Sequence, residues 1–107
     1  MKKKSYSHHT FKGKPIERQT MTLIFEKCSE GDYYKSRYHM DIYFIDPSTH
    51  KKYVYSNPYD TKFDIFHNET NPVTCTINGY FLPADEFPDL YQYIIWSPRL
   101  SKVEKME

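Results

Sequence analysis

The alternation of apolar and polar positions is most regular between Tyr33 and Ile45. One side of the alternation holds Tyr34, Ser36, Tyr38, Met40, Ile42 and Phe44, and the other holds Tyr33, Lys35, Arg37, His39, Asp41, Tyr43 and Ile45. Successive side chains of a strand point to opposite faces of a sheet. The stretch therefore predicts a long strand with one largely apolar face and one face where basic and aromatic residues interleave.

Four other segments show strand patterns, at residues 20–28, 51–56, 73–77 and 90–96. In the first of them, Met21, Leu23 and Phe25 share a face. The segment 62–67 fits an edge strand or a short connecting turn. Residues 90–96 also fit a helical stripe, but their β-branched and aromatic residues favour a strand. We expect Pro98 to end that strand and Asn78-Gly79 to form a turn.

The spacing of these segments predicts a mainly β fold. Short polar loops at 29–32 and 46–50 join the first three strands into an antiparallel meander, and a longer connection precedes two more. We therefore expect a small five- to six-stranded antiparallel barrel, OB-like in layout, with a small β-sandwich as the alternative. The predicted organisation is a basic flexible arm at 1–19, a single β domain at 20–97 and a charged C-terminal tail at 98–107.

Charge is unevenly distributed along the 107 residues. Residues 1–56 contain 11 Lys and Arg against 6 Asp and Glu, whereas residues 57–107 contain 4 against 8. A basic half can attract a polyanion, although the same charges also suit an ordinary solvated surface. No apolar run resembles a signal peptide or a membrane span, so we expect a cytoplasmic protein. Cys28 and Cys75 are then expected to be reduced, buried thiols.

Catalytic and metal-binding motifs are missing from the sequence. It contains no G-x-S-x-G, H-E-x-x-H, P-loop or G-x-G-x-x-G pattern. The five histidines are dispersed, and the adjacent pair His8-His9 lacks a Cys or carboxylate at metal-ligand spacing. We therefore expect no enzymatic activity, no cofactor and no metal.

The candidate binding residues lie on the basic and aromatic side of the second and third predicted strands. They are Lys35, Arg37, His39, Tyr43, Lys51, Lys52, Tyr53 and Tyr55. Single-stranded nucleic acid needs cations along its phosphates and aromatic planes against its bases. The same residue types also occur on the solvent face of an ordinary sheet, where Tyr pairs well across strands.

The stretch Tyr33 to Ile45, taken with Lys51 to Tyr55, resembles small phage or bacterial single-stranded DNA-binding proteins of the OB type. The resemblance implies binding of single-stranded DNA, or RNA, without sequence preference, in replication or recombination of a phage or mobile element. The C-terminal sequence K-V-E-K-M-E departs from the acidic tail of many such proteins, which places tail-mediated recruitment in doubt.

A protein-binding module or inhibitor is the alternative function. It would act through exposed tyrosines and an acidic second half comprising Asp60, Asp64, Glu69, Asp85, Glu86 and Asp89. A protein partner and self-association stay open in either case.

Overall fold

A computed structural model describes residues 9–30, 40–56, 61–66 and 69–105, and it confirms the mainly β prediction. The elements are β1 (His9–Phe11), β2 (Lys14–Ile16), β3 (Gln19–Glu30), β4 (Met40–Ile45), β5 (Lys52–Ser56), a 3₁₀ helix (Thr61–Phe66), β6 (Val73–Pro83) and β7 (Tyr93–Lys105). Among the described residues, no helix has the length and apolar character needed to cross a membrane.

Five of the strands form a closed barrel in the order β3-β4-β5-β7-β6, with β6 returning to pair with β3. The predicted meander of β3, β4 and β5 is present, and both of its pairings are antiparallel. The pairing of β5 with β7 is parallel, with Val54 opposite Ile94, so the predicted antiparallel barrel has one parallel seam. A parallel pair needs a long crossover, and the chain between β5 and β7 provides it.

The barrel interior is filled by the apolar side of each strand. The buried cluster comprises Leu23, Phe25, Ile42, Phe44, Tyr53, Phe63, Phe66, Val73, Cys75, Ile77 and Ile95. The sequence allowed an edge strand or a short turn at residues 62–67, and the structure has a 3₁₀ helix at Thr61–Phe66. Residues three apart eclipse one another in a 3₁₀ helix, so Phe63 and Phe66 enter the core together. The ring of Phe66 stacks on Phe25 at 4.7 Å, which ties the helix to the barrel wall.

Strands β6 and β7 are longer than the sequence predicted. The register passes from Tyr80 opposite Trp96 to Asn78 opposite Arg99, so two residues of β7 face one glycine of β6. Asn78-Gly79 is therefore part of a strand, and the predicted turn is wrong. Pro98 occupies the bulge, where no ladder hydrogen bond has to be donated, and β7 continues to Lys105. The predicted tail at 98–107 is accordingly wrong as far as residue 105.

The predicted basic arm contains a small hairpin. β1 pairs with β2, and the two residues between them, Lys12 and Gly13, both have positive φ angles, of 54° and 80°. That is the geometry of a two-residue turn whose twist matches the flanking strands. Residues 1–8 lie outside the described part of the chain, and the mobility of the arm stays a prediction.

Candidate functional site

Three of the predicted binding residues, Lys35, Arg37 and His39, fall in the segment 31–39, outside the described residues. Glu30 and Met40, the described residues on either side of this segment, are directly paired. Its two ends are therefore neighbours at one end of the β3–β4 hairpin.

Tyr53 and Tyr55 are directed into the barrel, so the prediction that they lie on the outer face is wrong. Tyr53 is opposite the core residue Phe44, and directly opposite residues share a face. Its ring is 5% exposed and stacks on Tyr93 at 4.9 Å. Burial, with smaller effects of Asp46 and Tyr93, raises the pKa of Tyr53 to about 12.

Tyr55 packs against Phe63 of the 3₁₀ helix, with ring centroids 4.9 Å apart. Side chains of β5, the third predicted strand, alternate between the two faces as expected, but its tyrosines point inward rather than outward. Neither tyrosine can serve as an outer stacking plane.

Tyr43 lies on the outer side of β4, as predicted, but it is only 7% exposed. The Lys27 ammonium group lies over the Tyr43 ring, 5.2 Å from its centroid. The pKa of Tyr43 is raised, first by burial and then by the charges of Asp41 and Tyr91. The ring is thus a covered part of the outer surface, with a cation above it.

Of the two adjacent lysines, Lys51 is exposed just before β5 and Lys52 forms an ion pair. The Lys52 Nζ is 3.6 Å from Glu26 Oε2, and each side chain is about one-third exposed. The Lys52 backbone N–H donates to Gln92 Oε1 at 2.8 Å, and the Gln92 N–H donates to the Lys52 carbonyl at 2.9 Å. Gln92 thereby anchors the 84–92 loop to β5.

The 84–92 loop presents apolar side chains to solvent. Phe87 is 55% exposed and Leu90 is 44% exposed. The loop also carries the exposed acids Asp85, Glu86 and Asp89. The pKa of Tyr91 is raised by burial, then by Glu86 and by Asp41, so Tyr91 lies near the outer side of β4. The periodicity of the sequence gave no indication of this surface, because loops have no fixed alternation.

A second aromatic group on the outer surface was missed by the sequence prediction. Tyr80 on β6 and Trp96 on β7 are directly opposite, with ring centroids 5.3 Å apart. The Arg18 guanidinium carbon lies 5.0 Å from the Tyr80 ring centroid. Tyr80 is 9% exposed and Trp96 is 44% exposed, so the indole is the outermost member of this group.

The Arg18 guanidinium is held by four hydrogen bonds. Its Nη1 donates to the carbonyl and the Oδ1 of Asn78, at 3.1 and 2.8 Å. Its Nη2 donates to the carbonyl and the Oγ of Ser97, at 2.8 and 2.9 Å. Asn78 Nδ2 in turn donates to Thr20 Oγ1 at 2.9 Å, which extends the network to β3. Arg18 therefore fixes the bulge of β7 and, with it, the backbone that carries Trp96.

Two cations follow Trp96 on the outer side of β7. Arg99 is opposite Asn78 and Lys102 is opposite Thr76, and both side chains are exposed. We name Trp96, Arg99 and Lys102 the β7 strip. Lys102 Nζ is 3.6 Å from Glu104 Oε2, but both side chains are more than 60% exposed, so water weakens this ion pair. The strip was missed because Pro98 was expected to end the strand; the sequence W-S-P-R was the available signal of a bulge.

No family model, no curated protein and no solved structure matches this chain. Within the described ranges, no three His, Cys, Asp or Glu side chains are close enough together to hold a metal ion. The arrangement offers cations, a fixed exposed indole and an acidic loop with apolar side chains, all of which suit binding.

Proposed function

We propose that the protein binds single-stranded nucleic acid, DNA in the first instance, without sequence preference, on the outside of an OB-like barrel. A three-strand meander, a longer connection and two further strands make up the layout of OB barrels. Such barrels bind oligonucleotides on strands two and three and the adjoining loops. In this chain the corresponding parts are β4 and β5 with the segments 31–39 and 84–92.

The observation that carries the proposal is the placement of cations on both sides of β4. Lys27 is opposite Tyr43 from the β3 side, and Lys52 follows on β5. Lys35 and Arg37 lie in the segment that leads directly into β4. Cations that neutralise phosphates release counterions, which provides affinity for any sequence.

Two carboxylates limit this attraction. Glu26 is paired with Lys52, and Asp41 accepts a hydrogen bond from Ser56 Oγ at 2.7 Å on β4. The phosphate contacts are therefore proposed to rest mainly on Lys35, Arg37, Lys27 and Lys51. A role in replication or recombination of a phage or mobile element stays a prediction from the resemblance.

Fluorescence anisotropy with labelled 30-mers, single-stranded and duplex, tests the proposal across a range of salt concentrations. We expect binding of the single strand at low salt and a steep loss as salt rises. Arg37→Ala should weaken binding and flatten the slope of log K against log salt by about 0.7, since one phosphate contact is lost. Lys14→Ala, an exposed lysine of the hairpin, is the matched control and should leave the slope unchanged.

A specific observation also favours protein binding as a second candidate function. Phe87 and Leu90 are exposed on a loop with three carboxylates, a combination suited to a partner with an apolar pocket and a basic rim. No binding of any oligonucleotide at low salt would remove the nucleic-acid proposal and leave this function ahead.

A further inference from the structure

Trp96 is the single tryptophan of the chain, and it is held in an unusual position for an indole. Nearly half of its surface is exposed, although burial of an indole is strongly favourable. The ring does not project from a loop but packs at 5.3 Å against Tyr80, which is itself buried. Part of the indole is thus open to solvent on a strand whose backbone is already fixed, so binding costs little conformational entropy.

The electrostatic surroundings of the ring are basic on the β7 side. Arg99 and Lys102 follow Trp96 on the outer side of the strand. Measured on β6, from Tyr80 to Thr76, the strip is about 13 Å long, because a strand rises about 3.3 Å per residue. Glu104 lies beyond Lys102 at one end of the strip, and Glu17 is next to Arg18 in the sequence. Acidic residues therefore limit the positively charged surface at both ends.

The strip lies on the same outer side of the barrel as the proposed binding surface. β7 is the barrel neighbour of β5, where Val54 is opposite Ile94, and Trp96 lies one alternation further along β7. Tyr43, Val54 and Ile94 are opposite one another in turn, so they share the outer side of the barrel with Trp96.

We infer that the β7 strip is a nucleobase-stacking site, in which an unpaired base stacks on Trp96 while phosphates lie against Arg99 and Lys102. This inference rests on the proposed function and deepens it by naming the surface where a base is bound. Single-stranded nucleic acid is the occupant that uses both features, because its bases are free to stack and its backbone carries one charge per nucleotide. In a duplex the base faces are already stacked.

Intrinsic fluorescence tests the inference directly, because all of the indole emission comes from Trp96. The protein is titrated with a dT 20-mer and with a 20-mer of abasic residues that has the same number of phosphates. We expect quenching of the emission by the dT 20-mer and little change with the abasic probe. Anisotropy of the labelled probes, measured on the same samples, reports binding independently of Trp96.

Variants separate stacking from charge. Trp96→Ala should lower the affinity for the dT 20-mer by about 5- to 150-fold, with an unchanged salt slope and an unchanged affinity for the abasic probe. Arg99→Ala and Lys102→Ala should each lower the slope by about 0.7 and leave the amplitude of quenching intact. Ile65→Ala, which removes a side chain that is 51% exposed on the 3₁₀ helix, is the matched control and should change neither quantity.

The outcomes distinguish the two proposals. Binding of the dT 20-mer by anisotropy, with unchanged Trp96 emission and parental affinity of Trp96→Ala, would overturn the stacking site and leave the proposed function standing. Equal quenching by the abasic probe would also overturn it, because no base would then be needed. Absence of any anisotropy change at low salt would remove both. If Trp96→Ala fails to fold, the fluorescence titration of the parent protein with the dT and abasic probes still decides the question.

Discussion

Gly79 of β6 and Pro98 of β7 pack against each other backbone to backbone. A Cβ added to Gly79 would lie 3.1 Å from Pro98 Cα and 3.2 Å from the Trp96 carbonyl oxygen. The contact explains how β7 continues past a proline: the bulged residues bend toward β6 at the one position where β6 has no side chain. The close fit of the bulge, and the position of Trp96 beside it, therefore depend on the absence of a side chain at residue 79.

Gly79→Ala should lower the free energy of unfolding by about 1–3 kcal/mol, because the atoms that a methyl group would meet belong to the backbone and cannot rotate away. Urea unfolding measures the loss. Gly13→Asn is the control, since a Cβ at residue 13 meets nothing within 4 Å and Asn tolerates a positive φ. Equal stabilities of Gly79→Ala and the parent protein would show that the two strands can separate at the bulge without cost.

Arg18 should stabilise the same bulge from the outside. Arg18→Ala removes four hydrogen bonds to Asn78 and Ser97 and the contact with the Tyr80 ring. Because part of this network is exposed to water, we expect a loss of only about 1–2 kcal/mol in thermal or urea unfolding. Arg18→Lys should recover less than half of it, since an ammonium group cannot reach both partners as the guanidinium fork does.

The control for this prediction is Arg99→Ala, which removes an exposed guanidinium from β7. Its stability should stay within about 0.5 kcal/mol of the parent value. A stability of Arg18→Ala as high as that of Arg99→Ala would contradict a structural role for Arg18.

Period-two alternation predicted the parts of the fold where the ladder is regular. Leu23 and Phe25 on β3, and Val73 and Cys75 on β6, have the inward orientation expected from their spacing. The alternation fails where a bulge adds a residue, as between Phe25 and Lys27. The extra residue reverses which of the following side chains point inward, and the local residue types do not mark the change.

The candidate site was less predictable than the fold, for two physical reasons. The phase of β5 is set by its pairing with β4, and a Tyr suits either face, so Tyr53 was assigned to the wrong side. Trp96 was not predicted as a binding residue because proline normally ends a strand. Pro98 instead occupies a bulge, which the missing side chain of its partner Gly79 permits. Both facts depend on residues distant in sequence, which local patterns do not report.

The two thiols should differ sharply in reactivity. Neither cysteine is in a disulfide, and Cys75 is 1% exposed whereas Cys28 is half-buried. Burial raises the pKa of Cys75 to about 12, so its thiolate is scarce at pH 8 and is shielded by the barrel wall. We expect a chromogenic disulfide reagent to modify at most one thiol in the native protein and both in concentrated denaturant.

Single substitutions assign the labelled site. Cys28→Ser should leave the native protein unreactive on the timescale of minutes, whereas Cys75→Ser should react as the parent protein does. Rapid native labelling of Cys28→Ser would mean that the barrel opens at β6 far more readily than its packing implies.

Tyr53 should make the barrel sensitive to alkaline pH. Its pKa is raised from 10.0 to about 12 by burial, so the folded state retains a proton that the unfolded chain loses first. A group of this kind contributes its full stability below pH 10, and the contribution is lost as pH rises from about 10 to about 12. The loss approaches about 2–3 kcal/mol at the upper end of that window.

Urea unfolding of the parent protein and of Tyr53→Phe at intervals from pH 8 to 11.5 measures this loss of stability. The difference in stability between the two should be constant up to about pH 9.5 and should then shift in favour of Tyr53→Phe, which has no phenol to ionise inside the barrel. Parallel pH profiles across the whole range would show that the hydroxyl of Tyr53 reaches water in the folded protein.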